Sequence, residues 1–488
     1  MKSIGVIGGG TAGFVSALIL KKSYPHLKID IVKSSKIGTV GVGEGSTEHW
    51  TTFMDFVGIA PHEVVKHCDA TFKSGIMFKD WGEHDYLQSV EGNFVSSHMG
   101  MPIVYSHLIS NNCKPKDLVY NKTWDSLVPF NKFIGVGPNE ISVTQYHFNT
   151  NKLNDFLTKK ATEFDIKIFD DEIKNVVIDA KTGNVSTLVG NTTTYNYDFY
   201  IDCTGFSKLL ISKLGANWQS YSKYLKMKEA IVFQTEDEEE YPYWTLAQAM
   251  DYGWMFRIPV WGRKGNGYIF DSDYIDADTA KKEVEKYFNK EIEVRKNIKF
   301  DPGALDKTWI KNVCAIGLSA SFVEPLEATS IGTSIQQSFL LASRLINYNQ
   351  DQIDRYNLEV TAILNDIRDF IALHYITNRR DTKFWKDVAK IELPNTLQHK
   401  LKLWKNRLPI PDDFATATPK VLFNEYNYAL VLHGLGLTNP DKIKNQYDML
   451  PDEAKNYIQQ VLNQKYDHEE NLKYIPHKMM IHLIRLLT

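Results

Sequence analysis

The 488-residue sequence predicts an α/β protein with a parallel sheet, an antiparallel sheet platform and a mainly helical C-terminal module. Three observations predict it. A short apolar strand, Ser3 to Ile7, runs into a glycine-rich turn and then a helix. Two more apolar strands, starting at Tyr200 and Val313, run into glycine turns at Gly205 and Gly317. Residues 351–405 and 440–487 carry apolar positions at helical spacing, with Pro, Gly and Asn breakers between them.

The first strand is followed by Gly8-Gly-Gly10-Thr11-Ala12-Gly13, and residues from Phe14 to Lys22 have helical character. This is a GxGxxG string in the strand–turn–helix setting that a dinucleotide needs. Gly8 permits the tight turn, Gly10 lets the backbone approach a pyrophosphate, and Gly13 lets the helix pack closely. The amides of the first helical turn, at Thr11 and Ala12, donate to the phosphates. The next strand, Lys28 to Val32, leads into Lys33-Ser34-Ser35, where an acid that holds the ribose is expected. Ser34 replaces that acid, or the ribose contact is weak, or Lys33 meets a phosphate as in NADP. The glycine-rich loop Ile37 to Ser46, containing Val42, Gly43 and Glu44, and the two distant strand–glycine returns favour FAD. No second GxGxxG occurs, so a nicotinamide domain is not expected and the flavin arrives already reduced.

Composition bounds the partners. A net charge of −3 gives no basic field for nucleic acid or a membrane surface. No run of about 18 apolar residues occurs, so no spanning helix is expected. The glycine-punctuated stretch 1–20 reads as strand–loop–helix rather than a secretion signal. The four cysteines, Cys68, Cys113, Cys203 and Cys314, lie far apart, so no metal site is expected and a cytoplasmic location fits.

The segment Gly253-Trp254-Met-Phe256-Arg-Ile258-Pro259 decides the family. It resembles the WxWxIP motif of the flavin-dependent halogenases of the tryptophan-halogenase type, with Phe256 in place of the second tryptophan. Ala70 to Ile76, His147-Phe148, Asp202 to Gly205, Phe322 to Thr329, and the run from Arg368 to Trp385 resemble the same family in order and spacing. The agreement runs from residue 4 to about 385 and is poorer over the last hundred residues.

The resemblance implies an FAD-dependent enzyme that uses FADH2, O2 and a halide ion to make hypohalous acid. It implies a separate flavin reductase and a small aromatic substrate, and leaves a homo-oligomer open. Lys73 and Glu327 are implied as catalytic. Lys73 lies among apolar neighbours, where burial would lower its pKa and let it hold the oxidant by a hydrogen bond or as a haloamine. Glu327 would polarise that oxidant or take the ring proton. Glu324 and Glu327, three apart, are expected to share a helical face, and a helix is expected from Ser330 to Asn347. Amides at Thr329 and Ser330 would give a halide site at its start. Trp254, Phe256, Ile258 and Pro259 would line the route to the substrate.

The sequence departs from members specific for tryptophan. Counting from Gly100, the positions that clamp the indole fall on Ser97 and Met99, with His98 between, and the C-terminal tryptophan falls on Phe423. A tyrosine-rich stretch is replaced by the short Phe414-Ala-Thr-Ala-Thr-Pro419. Without those polar anchors an indole- or phenol-like ring is expected in preference to free tryptophan, with bromide or iodide favoured over chloride. The expected organisation is a flavin-binding module over 1–390, interrupted near 80–150 and 209–300, and a helical module over 391–488. The fingerprint alone also allows a flavin-dependent aromatic hydroxylase or a non-catalytic flavin-binding protein.

Overall fold

Ile4, Val6, Ile29, Ile31, Phe199 and Ile201, on one face of their strands, have almost no exposure, and Ile7, Val32 and Tyr200 on the other face are buried too. That pattern requires cover on both sides and belongs to a parallel sheet. The computed structural model describes residues 1–38, 43–89, 107, 109–111, 127–129, 145–414, 421–471 and 474–487. They form two compact units, each of three chain segments: 1–70, 148–222 and 300–365 in the first, and 71–147, 223–299 and 366–488 in the second.

The first unit is built on a six-stranded sheet. Its order is Trp309–Ile310, Val313–Ala315, Phe199–Asp202, Ser3–Ile7, Lys28–Lys33, Lys167–Asp170. All neighbours run parallel except the first hairpin. The turn after Phe199–Asp202 is held by the Asp202 carboxylate, which accepts from the amides of Thr204, Leu210 and Ile211 at 2.8–3.0 Å. Helix Thr11–Ser23 packs on helix Thr329–Ala342, where the Ser16 and Ser338 hydroxyls meet at 2.9 Å.

The second unit is built on a seven-stranded sheet, ordered Val294–Lys299, Glu229–Thr235, Arg263–Phe270, Gly253–Val260, Thr245–Met250, Gly75–Lys79, Tyr86–Ser89. Only Gly75–Lys79 and Thr245–Met250 are parallel to each other. Helix Ala277–Phe288 buries Ala280 and Val284 against Ile231, Phe233, Met255 and Tyr268 of the sheet. Near the C-terminus come helices Asn395–Trp404, Glu425–Gly434, Pro440–Asp448, Asp452–Asn471 and His477–Leu487. Among the described residues no helix is long and apolar enough to cross a membrane, and no cluster of His, Cys, Asp and Glu has the arrangement to hold a metal.

Candidate active site

The glycine fingerprint separates into structural and ligand-facing positions. Gly8 has φ +121°, and a Cβ there would sit 2.1 Å from the Cys203 carbonyl oxygen. A Cβ on Gly13 would sit 2.1 Å from the Gly8 oxygen. Both glycines are demanded by the protein itself. Gly10 is different: it has φ −83°, and its Cβ would meet nothing within 4 Å. The space in front of Gly10 is open, and no side chain caps the helix that begins at Thr11. Uncapped amides beside an open, Cβ-free cradle fit the pyrophosphate of a dinucleotide. Gly317, with φ +71°, comes against Ala12, and its amide donates to Gln337 at 3.2 Å. The fingerprint, the second glycine return and helix Thr329–Ala342 are therefore brought together.

Glu44 adds a titratable group to this unit. Burial raises its pKa to about 7, against a lowering hydrogen bond from Thr150. Gly43 is buried beside it. Val42 lies outside the described residues. At the end of the second strand Ser34 is half-buried, and the Lys33 stem covers Gly9. The expected acid is missing there, yet a carboxylate stands one strand away. Asp170 is in register with Lys33 and accepts from the Ser35 amide at 2.8 Å. Hydrogen bonds from Ser35, then the charges of Lys33 and Lys36, hold its pKa below the ordinary range.

Glu327 and Glu324 are both buried. They do not share a helical face, because Glu327 (φ +67°) and Ala328 (φ +53°) are left-handed and the helix begins only at Thr329. Two consecutive non-glycine residues in that region cost on the order of 1–3 kcal/mol each. Such strain is kept where the surrounding structure imposes it, commonly at functional sites. The helix ends at Ala342, before Asn347. Thr329 is buried at its start and Ser330 is exposed.

Lys73 belongs to the second unit and has no solvent exposure. Its strand, Thr71–Lys73, is antiparallel to Gln145–Phe148, with Lys73 opposite Gln145 and Thr71 opposite His147. Side chains alternate along a strand, so Lys73, Thr71, Gln145 and His147 share one face while Phe72 and Tyr146 take the other. On that other face Phe72 packs on Tyr146 and on the His477 ring. The Nε2 of His477 accepts from the Phe72 amide at 3.0 Å. On the lysine face Thr71 Oγ1 donates to the Pro259 carbonyl at 2.7 Å, which joins the lysine strand to the end of strand Gly253–Val260. Pairing of that strand with Thr245–Met250 stops at Arg257 and Leu246, so Pro259 deprives that ladder of no donor. Lys79, six residues on, is exposed.

Comparison with known proteins settles what this assembly belongs to. The family model described as tryptophan halogenase matches residues 3–452. The chain belongs to the tryptophan halogenase family. It is 29% identical over 477 residues to a 7-chloro-L-tryptophan 6-halogenase of Kutzneria sp. (strain 744), covering 88% of this chain and 90% of that protein. It is 28% identical over 506 residues to a tryptophan 7-halogenase of Lentzea aerocolonigenes, covering 96% and 95%. The solved tryptophan 6-halogenase of Streptomyces toxytricini matches with TM-score 0.88 at 25% identity over 99% of each chain. A flavin-dependent halogenase from Xanthomonas campestris matches with TM-score 0.85 at 28% identity, over 99% of this chain and 98% of that one. This chain is thus an enzyme of the flavin-dependent halogenase class, with its mixed α/β fold.

In this halogenase Trp254, Phe256 and Ile258 alternate onto one face of their strand, and all three are buried. Trp254 packs on Phe256 and on Trp81, and Trp81 in turn packs on Tyr375 and Trp385. The motif and the Arg368-to-Trp385 segment thereby build one aromatic wall. The Phe256 ring lies over Gly267 of the neighbouring strand, where a Cβ would come within 2.4 Å of it. Phe423 stacks on Phe370 with ring centroids 4.0 Å apart, which covers one of its faces. Ser97, His98 and Met99 lie outside the described residues. His477 and Asp170 carried no signal in the sequence, because each acts on a strand far from it along the chain. His147 was visible only as part of a family segment.

Proposed function

We propose that this halogenase transfers a halogen to an electron-rich indole- or phenol-like ring by way of Lys73, and that free tryptophan is a poor substrate. Reduced FAD, delivered by a separate reductase, would with O2 oxidise a halide to hypohalous acid. Gly8, Gly10, Thr11, Ala12, Gly13, Gly43, Glu44 and Gly317 would hold the flavin, and amides at Thr329 and Ser330 the halide. The single observation that carries the reading is Lys73: a lysine with no exposure, placed on a polar strand face inside an otherwise apolar segment.

In this reading a Lys73 N–H donates to the oxygen of hypohalous acid, which polarises the O–X bond and turns the halogen toward the ring. Glu327 accepts the proton that the ring releases. The bulk of Trp254, Phe256, Ile258 and Pro259 keeps the ring from being oxygenated at the flavin. Phe423, with one face already covered, and the short segment before it favour a ring without an amino-acid group. The test is incubation with a flavin reductase, NADH, FAD, O2, bromide and a panel of indoles and phenols, read by mass spectrometry. Brominated rings are expected. Hydroxylated rings would favour an aromatic hydroxylase, and unchanged rings with flavin bound would favour a non-catalytic flavoprotein.

A further inference from the structure

A hydrogen-bonded chain of four groups, Pro259, Thr71, His147 and Thr245, starts from the strand face that carries Lys73. Thr71 Oγ1 donates to the Pro259 carbonyl at 2.7 Å, which uses its only proton. Its oxygen must then accept from His147 Nδ1, 3.1 Å away. The proton is therefore on Nδ1. A neutral ring presents Nε2 as an acceptor, and Thr245 Oγ1 stands 2.8 Å from it, placed to donate. Every member, Thr71, His147, Thr245 and Pro259, is buried. Burial first, then the charge of Lys73, then His477 and Lys264, hold the His147 pKa well below its ordinary value. Lys264 is itself tied to Glu238.

We propose that His147 is a positioning residue for Lys73: in its Nδ1–H form it ties the lysine strand, through Thr71, to Pro259 at the end of the motif strand, and so fixes where the Lys73 ammonium is aimed. The inference rests on the reading that Lys73 handles the oxidant. Lys73 and Thr71 share a strand face with His147 diagonal to the lysine, so a shift of Thr71 moves the lysine backbone with it. The chain also explains why a histidine is used. The site needs a donor on one side and an acceptor on the other, without a second charge beside the lysine. It gives the Ile-Pro end of the motif a duty as well, since the Pro259 carbonyl anchors the chain.

The test uses the full-length enzyme with its reductase, bromide and an indole. It measures brominated product formed per FADH2 consumed, the rate of FADH2 consumption, and free hypobromite caught by a diketone trap. His147→Phe keeps the ring shape and removes both polar atoms. Thr71→Val keeps the shape of Thr71 and removes the link. Each is expected to lower product per FADH2 by roughly 10- to 100-fold, the effect of losing one aligning hydrogen bond on a positioned group. FADH2 consumption should be unchanged and hypobromite should escape to the trap. The double variant should be no worse than either single one, because both break the same chain. His147→Asn, whose amide N–H stands in for Nδ1–H, should recover part of the loss. Thr71→Val is isosteric and decides the matter if His147→Phe fails to fold. Wild-type coupling in Thr71→Val, or equal loss in His147→Asn and His147→Phe, overturns the proposal. Lys73→Ala is run in parallel. If it keeps coupling, the lysine reading fails and takes the proposal with it. If it loses coupling while Thr71→Val does not, only the positioning role fails.

Discussion

Replacing Gly10 by alanine should separate flavin binding from folding. Gly10 has φ −83°, a value open to any residue, and its Cβ would meet nothing within 4 Å. The flavin-free protein should therefore tolerate the methyl group, and should gain up to about 0.4–1 kcal/mol because the unfolded chain loses freedom. The bound flavin should not tolerate it, because the methyl fills the space through which the turn approaches the pyrophosphate. Overpacking of that kind costs roughly 1–3 kcal/mol. That weakens FAD binding by about 5- to 150-fold. Gly13→Ala is the opposite case, with its Cβ 2.1 Å from the Gly8 oxygen, and should lower stability before any ligand is added. Thermal unfolding without flavin and a fluorescence titration with FAD read the two effects separately. Wild-type FAD affinity in Gly10→Ala, or a stability loss equal to that of Gly13→Ala, would refute the assignment of this turn as the pyrophosphate cradle.

Other outcomes follow from the remaining geometry. Burial lowers the His477 pKa to about 4, below its unfolded value near 6.5, so the folded state takes up this proton less readily than the unfolded chain. Its contribution is complete above pH 6.5 and is lost as pH falls toward 4. Its share of the change between pH 6.5 and 5 should be roughly 1–2 kcal/mol, read in urea unfolding as the difference in pH dependence between the wild type and His477→Gln, because His147 and Glu44 contribute to both proteins alike. Equimolar bromide, iodide and chloride should yield mainly brominated or iodinated product; mostly chlorinated product would contradict the expected halide preference. Simple indoles should turn over faster than free tryptophan, and rapid single-isomer halogenation of tryptophan would show the opposite.

The parts of the fold that were legible in the sequence are local. Ser3–Ile7 has the bounds its apolar pattern implied, and Lys28–Lys33 runs one residue beyond the expected strand. Gly8, Gly10 and Gly13 stand in the strand–turn–helix setting the fingerprint required. What escaped the sequence is long-range. His147 bonds to a residue 76 positions away, His477 to one 405 away, and Asp170 to one 135 away. Strand pairing and a C-terminal helix bring these together, and neither leaves a mark at the residues concerned. The helix expected from Ser330 to Asn347 ends at Ala342, where the Ser343 hydroxyl and the Arg344 amide turn back to the Leu340 and Leu341 carbonyls. The left-handed Glu327 and Ala328 were also beyond pattern, because neither residue type favours that conformation.

The role of Lys73 is tested most directly by a single-turnover experiment on Lys73→Ala with reduced FAD, O2, bromide and an indole. Oxidation of the flavin and product formation are followed together. Flavin oxidation should stay at the wild-type rate with hypobromite escaping to a trap, and halogenation of the ring should fall by at least roughly 10²–10⁴-fold, the scale of a positioned proton donor. Brominated indole formed at the wild-type rate and with the same regiochemistry would contradict that role.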